Sequence, residues 1–300
     1  MTFNKNEGLL DRSIRILIGE ILFIAGYFWS GGPLQTLLIT LALIILFTAF
    51  SGFCAIYRIF GWNTLNFPAK PFPKTVSYLI IALLVVLPFV SSYYSIFFTK
   101  KFFLEDYNRM NNFYKQTLFN TGQNKRPESI ENYEKLSSEY GHFYAKYSAF
   151  RPFVLKYDNK FGEDLLHVKE MIAAAGTKVY DGDLPKLHTE LESIRPIFQE
   201  ILKRNNFSML GVALVDFHDA MEKVIAASDQ KDAGGVIAVY PEIDEKLKAV
   251  ETEANDSEIQ VIRKNLEDLL TLAKTGKNDD LAKKAAELKS SFVKVYLKRG

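Results

Sequence analysis

Residues 76–98 read VSYLIIALLVVLPFVSSYYSIFF and contain no charged side chain. Two further apolar stretches precede them, at residues 14–29 and 34–50. An α-helix of about 20 apolar residues spans a membrane core about 30 Å thick, and it satisfies its own backbone hydrogen bonds there. The sequence therefore predicts an all-α protein that begins with three transmembrane helices.

Basic residues in the short connections predict the orientation of these helices. They precede the first stretch and lie between the second and third, whereas the turn Ser-Gly-Gly-Pro at residues 30–33 is uncharged. Short loops that carry such residues stay on the cytoplasmic side of the membrane. We therefore expect a cytoplasmic N-terminus and an external location for everything after Thr99. A cleaved signal peptide is the alternative for the first stretch, but no small-residue cleavage site precedes Pro33.

The charge balance changes after the third stretch. Residues 1–101 hold 8 Lys and Arg against 3 Asp and Glu, and residues 102–300 hold 29 against 32. A mildly acidic external part disfavours nucleic acid as a partner. Cys54 is the single cysteine of the chain, which excludes an intrachain disulfide and covalent haem attachment through paired cysteines.

Two short motifs flank the first two apolar stretches. They are NEGLLDRSIR at residues 6–15 and GFCAIYRIFGWNT at residues 52–64. The segment resembles the YgaP-like transmembrane domain family, in which an Asp-Arg pair precedes a helical hairpin and a Gly-x-Asn-Thr motif ends the domain. Ala55 stands where that family usually has proline, and Glu20 lies inside the first apolar stretch. The resemblance implies a membrane anchor or dimerising module.

The best-known relative joins this hairpin to a rhodanese sulfurtransferase, whose activity needs a cysteine in an active-site loop. Cys54 follows the second apolar stretch instead, so that activity is not expected here. A packed thiol is favoured over a reactive one, because no nearby Lys, His or helix N-terminus is predicted to lower its pKa. Glu20 is predicted to pair with Arg58 at the cytoplasmic interface, although an intramembrane carboxylate is also a candidate functional group.

The remaining two thirds of the chain have the apolar spacing of amphipathic helices. Apolar residues recur three and four positions apart, which places them on one helix face. One such set is Leu184, Leu187, Leu191, Ile194, Phe198 and Ile201. Eight helices of this kind are predicted, separated by turn residues, and short connections favour antiparallel bundles.

The predicted domains are a hairpin at residues 1–66, a linker with the third transmembrane helix at residues 67–101, and two helical halves at residues 102–206 and 207–300. A weak internal repeat supports the two halves, since Asp183-Leu184 and Asp280-Leu281 have similarly spaced neighbours. Each half is expected to form a four-helix bundle.

Turn and cap residues predict where several of these helices begin and end. The residues from Gly122 to Pro127 separate the first two helices. Asp183 is expected to cap a helix with proline in its first turn. Ser257 and Gln260 have the spacing of a capping box, and Gly276 is expected to end the seventh helix.

Carboxylates lie four residues from three of the histidines. These pairs are Glu163/His167, His188/Glu192 and His218/Glu222, and Asp219 follows His218. Residues four apart share a helix face, and imidazole with carboxylate binds divalent metals. His188, Glu192, His218 and Glu222 are therefore the candidate metal ligands. Solvated pairs without a metal are the commoner outcome, and haem held by Met110 and His188 is disfavoured because these residues are predicted at opposite ends of a bundle.

The first helical half is also rich in aromatic residues, which indicates an ordinary core or an interface more than a ligand cavity. The sequence contains no identifiable Ser-His-acid arrangement and no glycine-rich phosphate loop. We therefore expect no enzymatic activity and no cofactor. The predicted function is a membrane-anchored, periplasmic accessory or scaffold subunit in contact with the bilayer, with other membrane proteins or with itself through the hairpin. A periplasmic bundle that binds a small molecule, metal or haem is the alternative, followed by a sensor.

Overall fold

A computed structural model describes residues 4–67 and 72–299 of the chain. Those residues form α-helices joined by turns and two short 3-10 helices, and no strand occurs among them. The helices are α1 Leu9–Trp29, α2 Gly32–Ser51, α3 Ala55–Ile59, α4 Lys74–Gly122, α5 Arg126–Ala149, α6 Phe161–Asp181, α7 Leu184–Glu192, α8 Ile194–Arg204, α9 Met209–Asp229, α10 Ala233–Glu253, α11 Ser257–Lys274 and α12 Leu281–Arg299. The all-α fold class is thus confirmed.

The chain divides into two compact units. The membrane unit comprises residues 1–100 and 145–157, and the helical unit comprises residues 101–144 and 158–300. The division after Lys100 lies next to the predicted boundary at residue 101. Residues 145–157 were predicted within the first helical half, but they group with the membrane unit. Both predicted helical halves contribute to one unit.

Helices α1 and α2 pack against each other as a hairpin. Two glycines of α1 permit a close approach: a Cβ atom at Gly19 would lie 2.6 Å from Leu46 Cγ, and one at Gly26 would lie 3.0 Å from Leu38 Cβ. Ala42 of α2 is completely buried in the same interface. Small residues at such positions bring helix backbones together in membranes, where packing drives association.

Two helices of the described residues are long and apolar enough to cross a membrane, and they are α2 and α4. Three were predicted. Helix α1 has 21 residues but carries Asp11, Arg12, Arg15 and Glu20, so its apolar segment is interrupted by charge. The apolar windows of α2 and α4 are 11% and 0% buried, which leaves their side chains free to contact lipid.

Helix α4 is longer than the sequence analysis predicted. It runs for 49 residues without a break at the expected boundary between residues 101 and 102. No glycine or proline occurs between Phe89 and Asn120, so no residue interrupts helix propagation there. Pro88 lies inside its apolar half.

The segment after α5 contacts the turn of the hairpin within the membrane unit. Lys156 Nζ donates a hydrogen bond to the Tyr27 carbonyl oxygen at 3.1 Å and lies 3.5 Å from the centroid of the Tyr27 ring. The Phe153 ring lies 5.6 Å from the ring of Phe28. Arg151-Pro152 ends the preceding helical pattern, and these aromatic and cation–π contacts hold the segment that follows.

Hydrogen bonds from tyrosine side chains connect helices of the α4 to α8 segment within the helical unit. The hydroxyl groups of Tyr114 and Tyr133 donate hydrogen bonds to the carbonyl oxygens of Leu191 and Ile172, at 2.8 and 2.9 Å. Tyr140 donates in the same way to Leu165. The three tyrosine side chains are buried, and backbone carbonyl groups satisfy their hydroxyl groups. These aromatic residues therefore belong to a packed core, as predicted from the sequence.

The predicted fourth helix of this part is broken in two. α7 ends at Glu192 and α8 begins at Ile194, with Ser193 between them. Pro196 explains the break, because proline supplies no amide hydrogen and its ring conflicts with the carbonyl four residues earlier. The predicted cap at Asp183 is confirmed, since its side chain accepts a hydrogen bond from Lys186 N.

In the last part of the helical unit, α9 packs against α10 and α12, and α11 packs against α10 and α12. The cap of α11 differs from the prediction. Asp256, and not Ser257, accepts hydrogen bonds from the backbone amides of Glu258 and Ile259. A carboxylate at the N-cap satisfies the free amides and favours the helix dipole. Gly276 follows α11 with φ +71°, as expected for a residue that ends a helix.

Candidate functional site

The two sequence motifs of the membrane unit meet in one polar cluster at the base of the hairpin. Asn6 bonds to the backbone of Cys54 in both directions: Cys54 N donates to Asn6 Oδ1 at 2.8 Å, and Asn6 Nδ2 donates to the Cys54 carbonyl at 2.9 Å. Thr64 N donates to the Asn6 carbonyl at 3.1 Å. We call Asn6, Glu7, Asp11, Arg15, Cys54 and Thr64 the motif cluster.

Charged side chains complete the motif cluster. Arg15 Nε lies 2.9 Å from Asp11 Oδ1 and 3.1 Å from Glu7 Oε1. Thr64 Oγ1 donates a hydrogen bond to Asp11 Oδ2 at 2.8 Å. Burial raises the pKa of the Glu7 carboxyl, and the nearby Arg15 guanidinium acts in the opposite direction. These contacts fasten the start of α1 to the chain that follows α2.

The motif cluster explains the positions of the motif residues and the state of Cys54. Cys54 is 3% exposed, and its backbone N–H and C=O are both bonded to Asn6. A buried cysteine behaves as a small apolar side chain unless its surroundings favour the thiolate. The arrangement suits a structural role, which is the role the sequence analysis favoured.

Glu20 and Arg58 are not brought together as predicted. Among the described residues, no contact joins them, and Glu20 Oε2 is buried without a hydrogen-bond donor. Arg58 belongs to the short helix α3 that follows Cys54, whereas Glu20 lies further along α1. Arg15 forms ion pairs with Asp11 and Glu7, which lie four and eight residues before it in the sequence. Glu20 lines a cavity of about 210 Å³ with residues of α4.

A larger polar groove lies in the helical unit. It has a volume of about 760 Å³ and is lined by residues of α4, α9 and α10. Ion pairs cross or border it, with Lys223 Nζ 2.7 Å from Glu242 Oε1 and Lys246 Nζ 2.8 Å from Asp216 Oδ2. Charges of both signs are therefore already paired within the groove.

One edge of this groove carries the best metal-ligand geometry. Glu105, His218 and Asp219 each offer one ligand atom, and these atoms all lie within 4.8 Å of one another. The His218 ring stacks on Tyr296, with centroids 6.1 Å apart and an interplanar angle of 18°. His218 Nδ1 lies 3.5 Å from Asp219 Oδ1. A fixed imidazole and two carboxylates suit a divalent cation that keeps water as a further ligand.

The predicted ligands are only partly included in this group. His218 belongs to it, and Glu222 Oε1 lies 3.6 Å from His218 Nε2, on the other side of the ring. Two lysines compete for the acids, since Lys289 Nζ lies 3.0 Å from Glu222 Oε1 and Lys101 Nζ lies 3.3 Å from Glu105 Oε1. Each lysine would have to move before its acid could bind a cation.

His188 and Glu192 lie elsewhere in the helical unit. His188 Nδ1 is 2.8 Å from the carbonyl oxygen of Leu118, and its Nε2 is 3.6 Å from Glu192 Oε1. Among the described residues they join no group of three metal-ligating side chains. His142 and His167 are exposed. Glu105 was missed by sequence reasoning, because it lies on a different helix from His218 and no local spacing connects the two.

The fold and contacts of the membrane unit define a class of protein: a membrane hairpin fastened at its base by a polar motif. The comparison with known proteins names the family of this part. Residues 1–68 match the family model described as "Inner membrane protein YgaP-like, transmembrane domain", which confirms the resemblance in the sequence. The match and the two apolar helices place the membrane unit in a membrane. No curated protein and no solved structure matches the chain.

Proposed function

We propose that the chain is a non-enzymatic, membrane-anchored accessory protein whose helical unit lies outside the cytoplasm. The observation that carries this proposal is helix α4. Its apolar half is long enough to cross a membrane, and its polar half supplies Phe103, Tyr107 and Met110 to the buried core of the helical unit. One helix therefore belongs to both the anchor and the folded external part.

The proposed orientation requires α1 to be a third membrane span. Three of its four charged residues, Asp11, Arg12 and Arg15, lie in the first third of the helix and have polar partners at the base of the hairpin. The fourth, Glu20, lies near the middle of the helix. Charged residues near a helix end are tolerated at the membrane interface. Three spans place the two ends of the chain on opposite sides, and the basic N-terminal residues favour a cytoplasmic N-terminus.

The helical unit is proposed to act as a binding surface. We interpret α4 to α8 and α9 to α12 as two four-helix bundles, with α7 and α8 counted as one broken helix. Contacts between facing helices support this interpretation. The groove of about 760 Å³ runs along α4, α9 and α10. Its paired charges suit a polar segment of a partner protein better than an apolar ligand.

Reporter fusions test the orientation. Alkaline phosphatase joined after Gly300 is expected to be active and green fluorescent protein at the same position dark, because the phosphatase folds outside the cytoplasm and the fluorescent protein inside it. Fusions after Asn66 serve as the matched control, and the reverse pattern is expected there. Fluorescence from the fusion after Gly300 would reject the external placement.

Metal binding is the second candidate function, and the group formed by Glu105, His218 and Asp219 favours it. Zinc at micromolar concentration is expected to raise the melting temperature of the full chain in detergent, because a ligand that binds only the folded state stabilises it. His218→Gln is expected to remove this rise, whereas His188→Gln, the matched control, leaves it intact. An equal zinc effect in both variants would reject this site.

A further inference from the structure

An unsatisfied carboxylate lies inside the membrane unit. Glu20 Oε2 is buried and receives no hydrogen bond from any residue that the structure describes. Glu20 is at the twelfth position of the 21-residue helix α1, well beyond the charged residues at the helix start. A carboxylate at this depth of a span is costly unless a partner compensates it, and such residues mark functional contacts by default.

The side chains around Glu20 are mostly apolar, and none that the structure describes donates a hydrogen bond to Glu20 Oε2. The cavity of about 210 Å³ beside it is lined by Ile21, Ile24 and Trp29 of α1 and by Pro88 and Ser91 of α4, among others. Trp29 Nε1 already donates to Ser95 Oγ at 2.9 Å. Pro88 has no amide hydrogen. Ser91 carries a hydroxyl group but does not donate to Glu20 Oε2, and no Lys or Arg of the described residues lines the cavity. The carboxylate therefore lacks a cationic partner within the described residues.

The size of the cavity selects the kind of occupant. Small-molecule pockets usually measure about 300–1,000 Å³, and this cavity is smaller. It suits one inserted side chain. The flanking residues Ile21 and Val85 are more than half exposed, so an apolar helix could cover them while its side chain enters the cavity.

We infer that this groove between α1 and α4 receives a transmembrane helix of a partner protein, and that a lysine or arginine of that helix pairs with Glu20. The inference rests on the proposed membrane placement of α1 and specifies the partner class of the proposed accessory protein. Charge complementarity selects a basic side chain, since a cationic donor offsets the charge of the carboxylate and also satisfies its free oxygen.

The test uses the full chain in phosphatidylcholine vesicles with dansyl-labelled transmembrane peptides. Three poly-leucine peptides differ only at the central position, which is lysine, leucine or glutamate. Trp29 lines the cavity, and Trp62→Phe leaves it as the single tryptophan donor for energy transfer. We expect the lysine peptide to associate at least tenfold more tightly than the leucine peptide.

Variants identify the contact. Glu20→Gln keeps the shape of the side chain but removes the charge, and it is expected to abolish the preference for lysine. Glu20→Lys is expected to reverse it in favour of the glutamate peptide, which shows that the variant is folded and inserted. Ile18→Gln changes an exposed residue of the same helix and should leave the preference intact.

The outcomes separate this inference from the proposed function. Equal association of the lysine and leucine peptides, or a preference that survives Glu20→Gln, would overturn the inference. Either result would leave the reporter-fusion test of orientation unaffected, because the vesicle experiment does not depend on which side the helical unit occupies. Conversely, reversed fusions would reject the external placement without altering the peptide result.

Discussion

Replacement of Asp158 by alanine is expected to lower the free energy of unfolding of the helical unit by about 3 kcal/mol, the lower end of the range for breaking a buried ion pair. The Asp158 side chain is 3% exposed. It accepts hydrogen bonds from Arg204 Nη2 at 2.9 Å, from Asn205 Nδ2 at 2.6 Å and from Lys160 N at 3.1 Å. The lower end applies because Arg204 keeps a second partner, Asp164.

Asp279→Ala is the matched control for this prediction. Asp279 forms an ion pair with Lys231 at 2.6 Å, but its side chain is 90% exposed. Exposed pairs contribute about 0–1 kcal/mol. Chemical denaturation of the full chain in detergent, followed by helical circular dichroism, measures both variants. Equal losses would show that burial of the Asp158 network does not determine its contribution.

The same network predicts how stability depends on pH. Burial acts to raise the pKa of Asp158, but hydrogen bonds from Arg204 and Asn205 outweigh it, and the pKa lies below its usual value. The folded state therefore holds the proton more weakly than the unfolded state. Its stabilising effect is fully present above the ordinary aspartate pKa of about 3.9 and is lost as the pH falls through the folded pKa. Asp158→Ala should remove this part of the acid sensitivity.

Local patterns in the sequence predicted most of the helices and their buried faces. All six residues of the set from Leu184 to Ile201 are buried, because a spacing of three and four places apolar side chains on one face whatever that face packs against. The cap at Asp183 was predictable for the same reason, since a capping side chain reaches only its own first turn. The predicted cap at Ser257 was wrong by one position, because the Asp256 side chain can make the same hydrogen bonds.

Contacts between distant residues were beyond the reach of such patterns. Helix α4 continues past Lys101 because nothing in that stretch breaks a helix, and the change from apolar to amphipathic composition is not itself a break. Glu105 approaches His218 only through the packing of α4 on α9. The Glu20–Arg58 pair failed because equal depth in a membrane was inferred from sequence distance, whereas Arg58 follows a turn into α3.

The motif cluster gives the second large effect, on the reactivity of Cys54. Asn6→Ala leaves the buried Cys54 N–H without its acceptor, Asn6 Oδ1 at 2.8 Å, whereas the Cys54 carbonyl keeps the hydrogen bond from Arg58 N at 3.1 Å. Each unsatisfied buried group costs about 1–3 kcal/mol. The loss of this one partner should make local opening about ten- to a hundredfold more frequent, since each 1.4 kcal/mol is a factor of ten.

Maleimide labelling measures this opening directly, because Cys54 is the single cysteine of the chain. We expect slow labelling of the native protein in detergent and a rate about ten- to a hundredfold higher in Asn6→Ala. Asn63→Ala is the matched control: the Asn63 side chain accepts a hydrogen bond from Leu65 N at 2.9 Å in an exposed turn, so its loss should leave the rate of Cys54 labelling unchanged.

A native labelling rate in Asn6→Ala would mean that other contacts hold the end of α2 in place. The leading alternative is Arg12, which donates hydrogen bonds to the carbonyl oxygens of Ala49 and Phe50. Arg12→Ala would then be expected to expose Cys54 where Asn6→Ala does not, because the last turn of α2 would lose two hydrogen bonds from α1. Fast labelling in Asn6→Ala alone would instead assign the closed state of Cys54 to the reciprocal bonds with Asn6.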